Sequence, residues 1–357
     1  MASPEALTRR NPYEVQSCIQ TERCTPGGIG LIMGFAPPVG LFGKLPSHPD
    51  FVRLNAGSPL ARVLDTWMQE GLSAMRVQVG TAWDAAFDRA NPVFFAFRSK
   101  NPSEALVGIC RPGRDRGGRR YPFLVFAHVQ LSRDGAGFHV VPQGYALFLK
   151  AARRIAVVDC ADGIDNHRSA QIMNLASILP QNLVESQQRF DRYLSDVTME
   201  SFWRGLYGDF HDRRKYLVMK NVFATLAPRR GHDASRFGFA VRMPISSDLD
   251  QAGLQTATWF RLCQATLGGD PLAQSVLFWS AGGTSPAGEC YLFFRPPAPA
   301  SLPSILMPEA DHESIWNLET MGNDRITQAR EELGEPIATA LDSPNMSLKD
   351  FIRAIQA

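Results

Sequence analysis

The chain has no Cys-X-X-Cys pair, and its six cysteines, at 18, 24, 110, 160, 263 and 290, are scattered without neighbouring histidines. That spacing provides no zinc framework and no disulfide grid, so no metal or other cofactor is expected. Cys110, Cys263 and Cys290 sit in apolar runs, which reads as buried free thiols in a reducing compartment. An excess of one charge sign is also missing: 37 basic against 35 acidic residues leave a net charge of +2, which argues against nucleic acid as the partner. No apolar run is long enough to span a bilayer, because the stretch from Gly27 to Gly43 is broken by prolines and glycines. The first residues, Met-Ala-Ser-Pro-Glu-Ala followed by Arg9-Arg10, lack the apolar core of a secretory signal. The protein is therefore expected in the cytoplasm, meeting a membrane only indirectly through partners. A Gly-X-Ser-X-Gly elbow, a Walker lysine loop, a dinucleotide fingerprint and internal repeats are all absent.

What the sequence does contain is concentrated in two short segments. The first runs Gly43-Lys44-Leu45-Pro46-Ser47-His48-Pro49-Asp50-Phe51-Val52. Apolar Leu41 and Phe42 lead into it and the two prolines frame Ser47-His48, so a strand is expected to end near Lys44 and give way to a loop with fixed φ angles. The second runs Pro112-Gly113-Arg114-Asp115-Arg116-Gly117-Gly118-Arg119-Arg120-Tyr121-Pro122. It lies between apolar runs at 105–110 and 121–129, which reads as two strands joined by a charged connection. Its arginines present planar forks suited to phosphate, but no aromatic platform accompanies them, and a solvated loop with internal carboxylate pairing is the plainer reading.

Between the segments, Ser58-Pro59 is an N-cap with proline at the first helical position. Leu60, Val63, Leu64, Trp67, Met68, Leu72, Met75 and Val79 then recur every three or four residues, predicting a helix with one buried face. Further along, the pattern predicts a short helix through Trp83 and Phe87, a strand at 93–97, helices at 143–155, 169–179 and 247–267, and strands at 237–242, 276–279 and 290–294. The aromatic stretch 201–207 reads as core. Strands come partly in adjacent runs without a βαβ rhythm, so the expected class is α+β, with a mixed, largely antiparallel sheet flanked by helices. Ser347-Leu348-Lys349-Asp350 opens a final helix with Leu348, Phe351, Ile352 and Ile355 on one face. That face either docks on its own domain or offers itself to a partner groove.

The two segments resemble the TagF family of regulators associated with bacterial type VI secretion. That family shows a G-K-x-P-x-x-G-D-F-V stretch followed, after a helix and two strands, by P-S-x-D-x-x-G-R-x-Y/F-P. Here Pro49 replaces the usual glycine of the first and Gly113 the usual serine of the second. Weaker echoes are Phe278-Trp279-Ser280-Ala281-Gly282 and Phe294-Arg295-Pro296-Pro297. The resemblance covers a TagF-like domain at 38–308, whole or divided into 38–160 and 161–308; the polar, aperiodic start reads as an N-terminal extension at 1–37 and the charged, helical tail as a C-terminal extension at 309–357. It also implies a non-catalytic regulator that restrains secretion after translation by binding a forkhead-associated scaffold protein or another component of the machinery. Family members are sometimes fused to a magnesium-dependent phosphatase, for which this chain has no room.

The candidate partner surface comprises Lys44, Ser47, His48, Asp50, Arg114, Asp115, Arg116 and Arg119. A competing expectation makes both segments fold determinants, with Asp50 capping the Phe51 segment and Arg119 paired to a carboxylate. An unrecognised hydrolase or transferase is the alternative function, favoured if His48, Asp50 and an arginine meet in a deep pocket. Asp115-Arg116-Gly117 also occurs in metal-dependent phosphatases, but the flanking acidic and histidine elements those enzymes need are not present.

Overall fold

The computed structural model describes residues 38–132, 137–160, 164–268, 272–281, 287–307, 309–310 and 312–356. The expected N-terminal extension at 1–37, with Cys18 and Cys24, lies outside the described residues.

Among the described residues nine strands form one sheet in the order β2-β1-β5-β4-β3-β7-β8-β6-β9. They are β1 (Val39–Gly43), β2 (Val52–Leu54), β3 (Val93–Phe97), β4 (Glu104–Arg111), β5 (Phe123–Gln130), β6 (Ala240–Ser246), β7 (Val276–Ser280), β8 (Ala287–Phe293) and β9 (Ile315–Asn317). All neighbours are antiparallel except β6 and β9. The pairing of β3 with β7, Phe95 opposite Phe278, joins the first half of the chain to the second. The α+β class with a largely antiparallel sheet thus holds.

Both faces of the sheet are covered, which explains strands as apolar as Val-Phe-Phe-Ala-Phe. Successive side chains point to opposite faces. Phe95 and Phe97 join Phe42, Phe126, Phe278 and Tyr291 under helix α1 (Pro59–Val79), while Phe94 and Ala96 join Val107, Val125 and Trp279 under the helices of the other face. Helix α1 begins as expected: the Ser58 side chain accepts from the Ala61 N–H, and Trp67 lies 5.5 Å from Phe278 in a stacked pair. Helix α2 (Trp83–Arg89) follows directly. On the opposite face, helix α3 (Leu249–Leu267) is buried along most of its length, and its Trp259 indole N–H donates to the Pro244 carbonyl at 2.6 Å. The aromatic stretch at 201–207 enters this core through Phe202 and Trp203. The four described cysteines, Cys110, Cys160, Cys263 and Cys290, are buried.

Several boundaries differ from the sequence reading. The helix expected at 143–155 is a short turn at 141–144, a break at Tyr145, a helix at 146–154 and a wider π turn at 155–159. Arg111 holds that end of the element, donating to the carbonyls of Ala156 and, at 3.1 Å, Cys160. The helix expected at 169–179 starts at Asn166 under an Asp165 cap and ends at Asn174. The strand expected at 237–242 is displaced to 240–246: Phe237 and Phe239 stack on each other before it, and Phe239 stacks on Trp316 at 4.3 Å. Aromatic packing, which alternation alone does not encode, decides that start. The segment 309–357 is helical over much of its length and also contributes β9, the parallel edge strand, through registers such as Val241 with Trp316. Its last helix, α4 (Leu348–Gln356), buries Leu348, Phe351, Ile352 and Ile355 on the chain's own body.

Candidate partner-binding surface

Antiparallel pairing of β1 with β5 sets the end of β1 beside the start of β5, and so brings the two sequence segments together. Gly43 closes β1 at φ 136°, and a Cβ there would lie 2.1 Å from the Pro122 carbonyl oxygen, so only glycine allows this approach. Gly113 is equally confined: a Cβ would lie 2.5 Å from the Lys44 carbonyl oxygen. The serine usual in the family has no space in this loop.

At the junction, Lys44 and Asp115 form a buried ion pair at 2.9 Å, with side-chain exposures of 8% and 0%. Arg119 completes the neutralisation, donating to Asp115 from its backbone N–H at 2.9 Å and from Nε at 2.8 Å. Burial by itself raises the Asp115 pKa, but bonds from Lys44 and Arg119 and the Lys44 charge outweigh it and hold the carboxyl below its ordinary value. Arg119 also donates to the Pro49 carbonyl at 2.8 Å and approaches Asp50 at 3.9 Å. Lys44 Nζ lies 5.0 Å from the centre of the Phe51 ring, which meets Tyr121 edge-on at 4.8 Å.

The last residues of the second segment each hold a different element. Arg120 donates to Asp88 at 2.7 Å and pairs with Asp84 at 2.9 Å, both on α2. The Tyr121 hydroxyl donates to Asp65 on α1, which also accepts from Arg53 at 2.8 Å and Gln69 at 3.1 Å. Burial works to raise the Asp65 pKa, yet these three donors bring it down. Burial and the Asp65 partner together raise the Tyr121 hydroxyl well above its ordinary value.

The remaining residues of the candidate surface face outward. Ser47 and Asp50 are exposed and His48 half-buried. A tight turn forms as the His48 N–H donates to the Leu45 carbonyl at 3.0 Å, and Ser47 Oγ lies 2.9 Å from His48 Nδ1. Burial first, and the Arg116 charge second, lower the His48 pKa. Arg114 and Arg116 are both exposed. The Arg116 side chain donates to the Ser47 carbonyl at 2.6 Å, and its backbone N–H donates to the His48 carbonyl at 2.8 Å.

The fold therefore assembles all eight candidate residues at one junction but gives them two orientations. Arg119 pairs with carboxylates, and the Phe51 N–H donates to Asp50 at 2.8 Å, as the fold-determinant reading expects. His48 and Asp50 do not line the open hollows beside α1, which are bounded by Val63, Trp67, Glu70 and Pro299 and by Val77, His312 and Glu313. The sequence reading missed the carboxylates that receive the motif. Asp84 and Asp88 stand one helical turn apart, a spacing that marks a shared partner. Asp65 sits beside Leu64 and Met68 on the buried face of α1, where an acid signals an internal donor.

Among the described residues no helix is long and apolar enough to cross a membrane. No curated protein matches the chain. A solved structure, that of PA0076 from Pseudomonas aeruginosa PAO1, is similar over 77% of this chain and 96% of its own, with 18% identity and a TM-score of 0.42. Residues 40–174 match the family model of the TagF N-terminal domain, described as type VI secretion system-associated. Both loops, the Lys44–Asp115 pair and helix α1 lie inside that match, so residues 40–174 are TagF-like, similar to the N-terminal domain of this type VI secretion-associated family.

Proposed function

We propose that the protein is a non-catalytic accessory regulator that restrains a bacterial type VI secretion system after translation. It acts in the cytoplasm by binding a forkhead-associated scaffold protein or another component of the machinery, without a cofactor. The observation that carries this reading is the match of residues 40–174 to a domain associated with that system, with both family motifs built into one junction. The junction offers a rigid frame under exposed polar groups, which suits recognition of another protein. Binding restrains assembly if the regulator prefers the assembly-incompetent state of its partner. A differential affinity of about 5.5 kcal/mol moves a two-state equilibrium from 1:99 to 99:1, and smaller shifts need less.

Deleting the gene and assaying type VI substrates in the culture supernatant tests the proposal. Secretion is expected to rise on deletion and to fall below wild type on overproduction. Unchanged secretion in both strains would overturn it.

A further inference from the structure

The second motif divides its charged residues by the partners they have. Asp115, Arg119 and Arg120 are spent on internal partners: Lys44, the Pro49 carbonyl, and the carboxylates of α2. Arg114 and Arg116 have weaker ties: the Arg114 charge acts on Asp88, and Arg116 bonds the Ser47 carbonyl. Among the described residues neither forms an ion pair with a carboxylate, and the side-chain bond that Arg116 makes is to a neutral carbonyl. They flank Asp115 at i−1 and i+1. Arg114 is extended enough to form a β-bridge with Arg120, and Asp115 is the residue turned inward. Both arginines are exposed, while Asp115 between them is buried. Like charges repel one another, and no carboxylate ion pair among the described residues offsets that repulsion.

Their surroundings favour approach by another chain. Gly117 and Gly118 follow immediately and are exposed, and a Cβ on Gly118 would meet nothing within 4 Å. The turn is fixed by the Gly118 N–H donating to the Asp115 carbonyl at 2.9 Å. The frame beneath is fixed by the buried Lys44–Asp115 pair, so the two forks are held on a rigid base rather than on a loose loop. Asp84 and Asp88 on α2 are paired with Arg120, though the Arg114 charge also acts on Asp88.

We propose that Arg114 and Arg116 form a docking site for carboxylate side chains of an acidic segment on a partner protein, with Gly117-Gly118 admitting its backbone. A guanidinium can take a carboxylate in a two-bond fork, whereas Asp115, Arg119 and Arg120 are paired within the frame. This deepens the reading of the protein as a partner-binding regulator and rests on it.

The test uses the full chain and a fluorescein-labelled peptide of ten glutamates, read by fluorescence anisotropy at low salt. Wild type is expected to bind, and R114E/R116E to bind at least about tenfold more weakly, since the reversed charges repel the peptide. A matched control, R204E/R236E, alters two arginines whose side chains are 60% and 86% exposed elsewhere, and is expected to bind like wild type. Failure of the wild type to bind, or an equal loss in the control, would overturn the site. A phosphothreonine peptide bound more tightly than the glutamate peptide would overturn the carboxylate assignment. So would equally R114E/R116E-sensitive binding to phosphatidylglycerol vesicles or duplex RNA. In cells, raised secretion on deletion, restored by R114E/R116E as fully as by wild type, removes this surface and leaves the regulator standing. No change on deletion removes the regulator reading, whatever the peptide shows.

Discussion

Two segments of the chain advertise a surface for a partner, the arginine loop at 112–122 and the amphipathic helix at 348–356, and the fold treats them oppositely. The helix spends its apolar face at home: Leu348, Phe351, Ile352 and Ile355 are all buried. Ser347 caps it, accepting from the Asp350 N–H at 3.1 Å, and Arg230 reaches the Ile355 carbonyl at 3.0 Å. The loop spends Asp115, Arg119 and Arg120 at home but leaves Arg114 and Arg116 outside. Amphipathicity records a demand for burial, and a chain of this size has enough apolar surface to meet it. Charge records no such demand, since water satisfies an arginine as readily as a carboxylate does. The apolar stripe is therefore consumed by the fold, whereas the exposed arginines stay open to an external contact.

This contrast can be broken at three points. The largest effect is expected inside the loop. D115A leaves Lys44 buried without its carboxylate and removes the acceptor of two Arg119 donors, at a cost of about 3–5 kcal/mol in urea unfolding. The double variant K44M/D115A should cost less than the two single changes added together, because each single change strands a charge that the double does not. The pH dependence has a definite sign. Asp115 is held below its ordinary pKa by Lys44 and Arg119, so its stabilisation is complete above the unfolded carboxyl value. It is lost as pH falls from about 4 through the lowered folded value. Acid titration of unfolding should therefore show a shallower limb in D115A than in wild type. An unaltered limb would show that the ion pair contributes little.

The second effect lies in the terminal helix. L348A removes a side chain only 1% exposed and is expected to cost about 2–5 kcal/mol. It should leave binding of the glutamate peptide unchanged in the folded protein. A stability near wild type would mean that the helix is not anchored as described, and would return it to the set of partner-binding elements. The smallest effect is the most informative for the loop. R114E/R116E should unfold within about 1 kcal/mol of wild type, since it removes one bond to a carbonyl and no carboxylate pair. A loss comparable to that of D115A would place these arginines in the frame and erase the division between inward and outward residues.

Much of the architecture is legible along the chain. The cap at Ser58, the buried stripe of α1 and the capping box at Ser347 are local patterns, governed by residues within one or two helical turns of each other. The strands at 93–97 and 276–280 are legible for the same reason, as short apolar β-rich runs between turn signals. The displacement of β6 and the division of the helix expected at 143–155 have a shared cause. The Phe239–Trp316 stack and the hold of Arg111 on the π turn join residues distant in sequence, and no local periodicity reports them.

Composition and local pattern were sufficient for the class of the fold, for the lack of metal-binding cysteine pairs, and for the identity of the two motif loops. What each charged residue in those loops does was settled by long-range packing. The register of β1 against β5 fixes the distance between Lys44 and Asp115, and the packing of α1 and α2 under the sheet brings Asp65, Asp84 and Asp88 to Tyr121 and Arg120. Side-chain pairing falls off within a few ångströms, so it is set by where the backbone elements come to rest and not by their spacing along the chain.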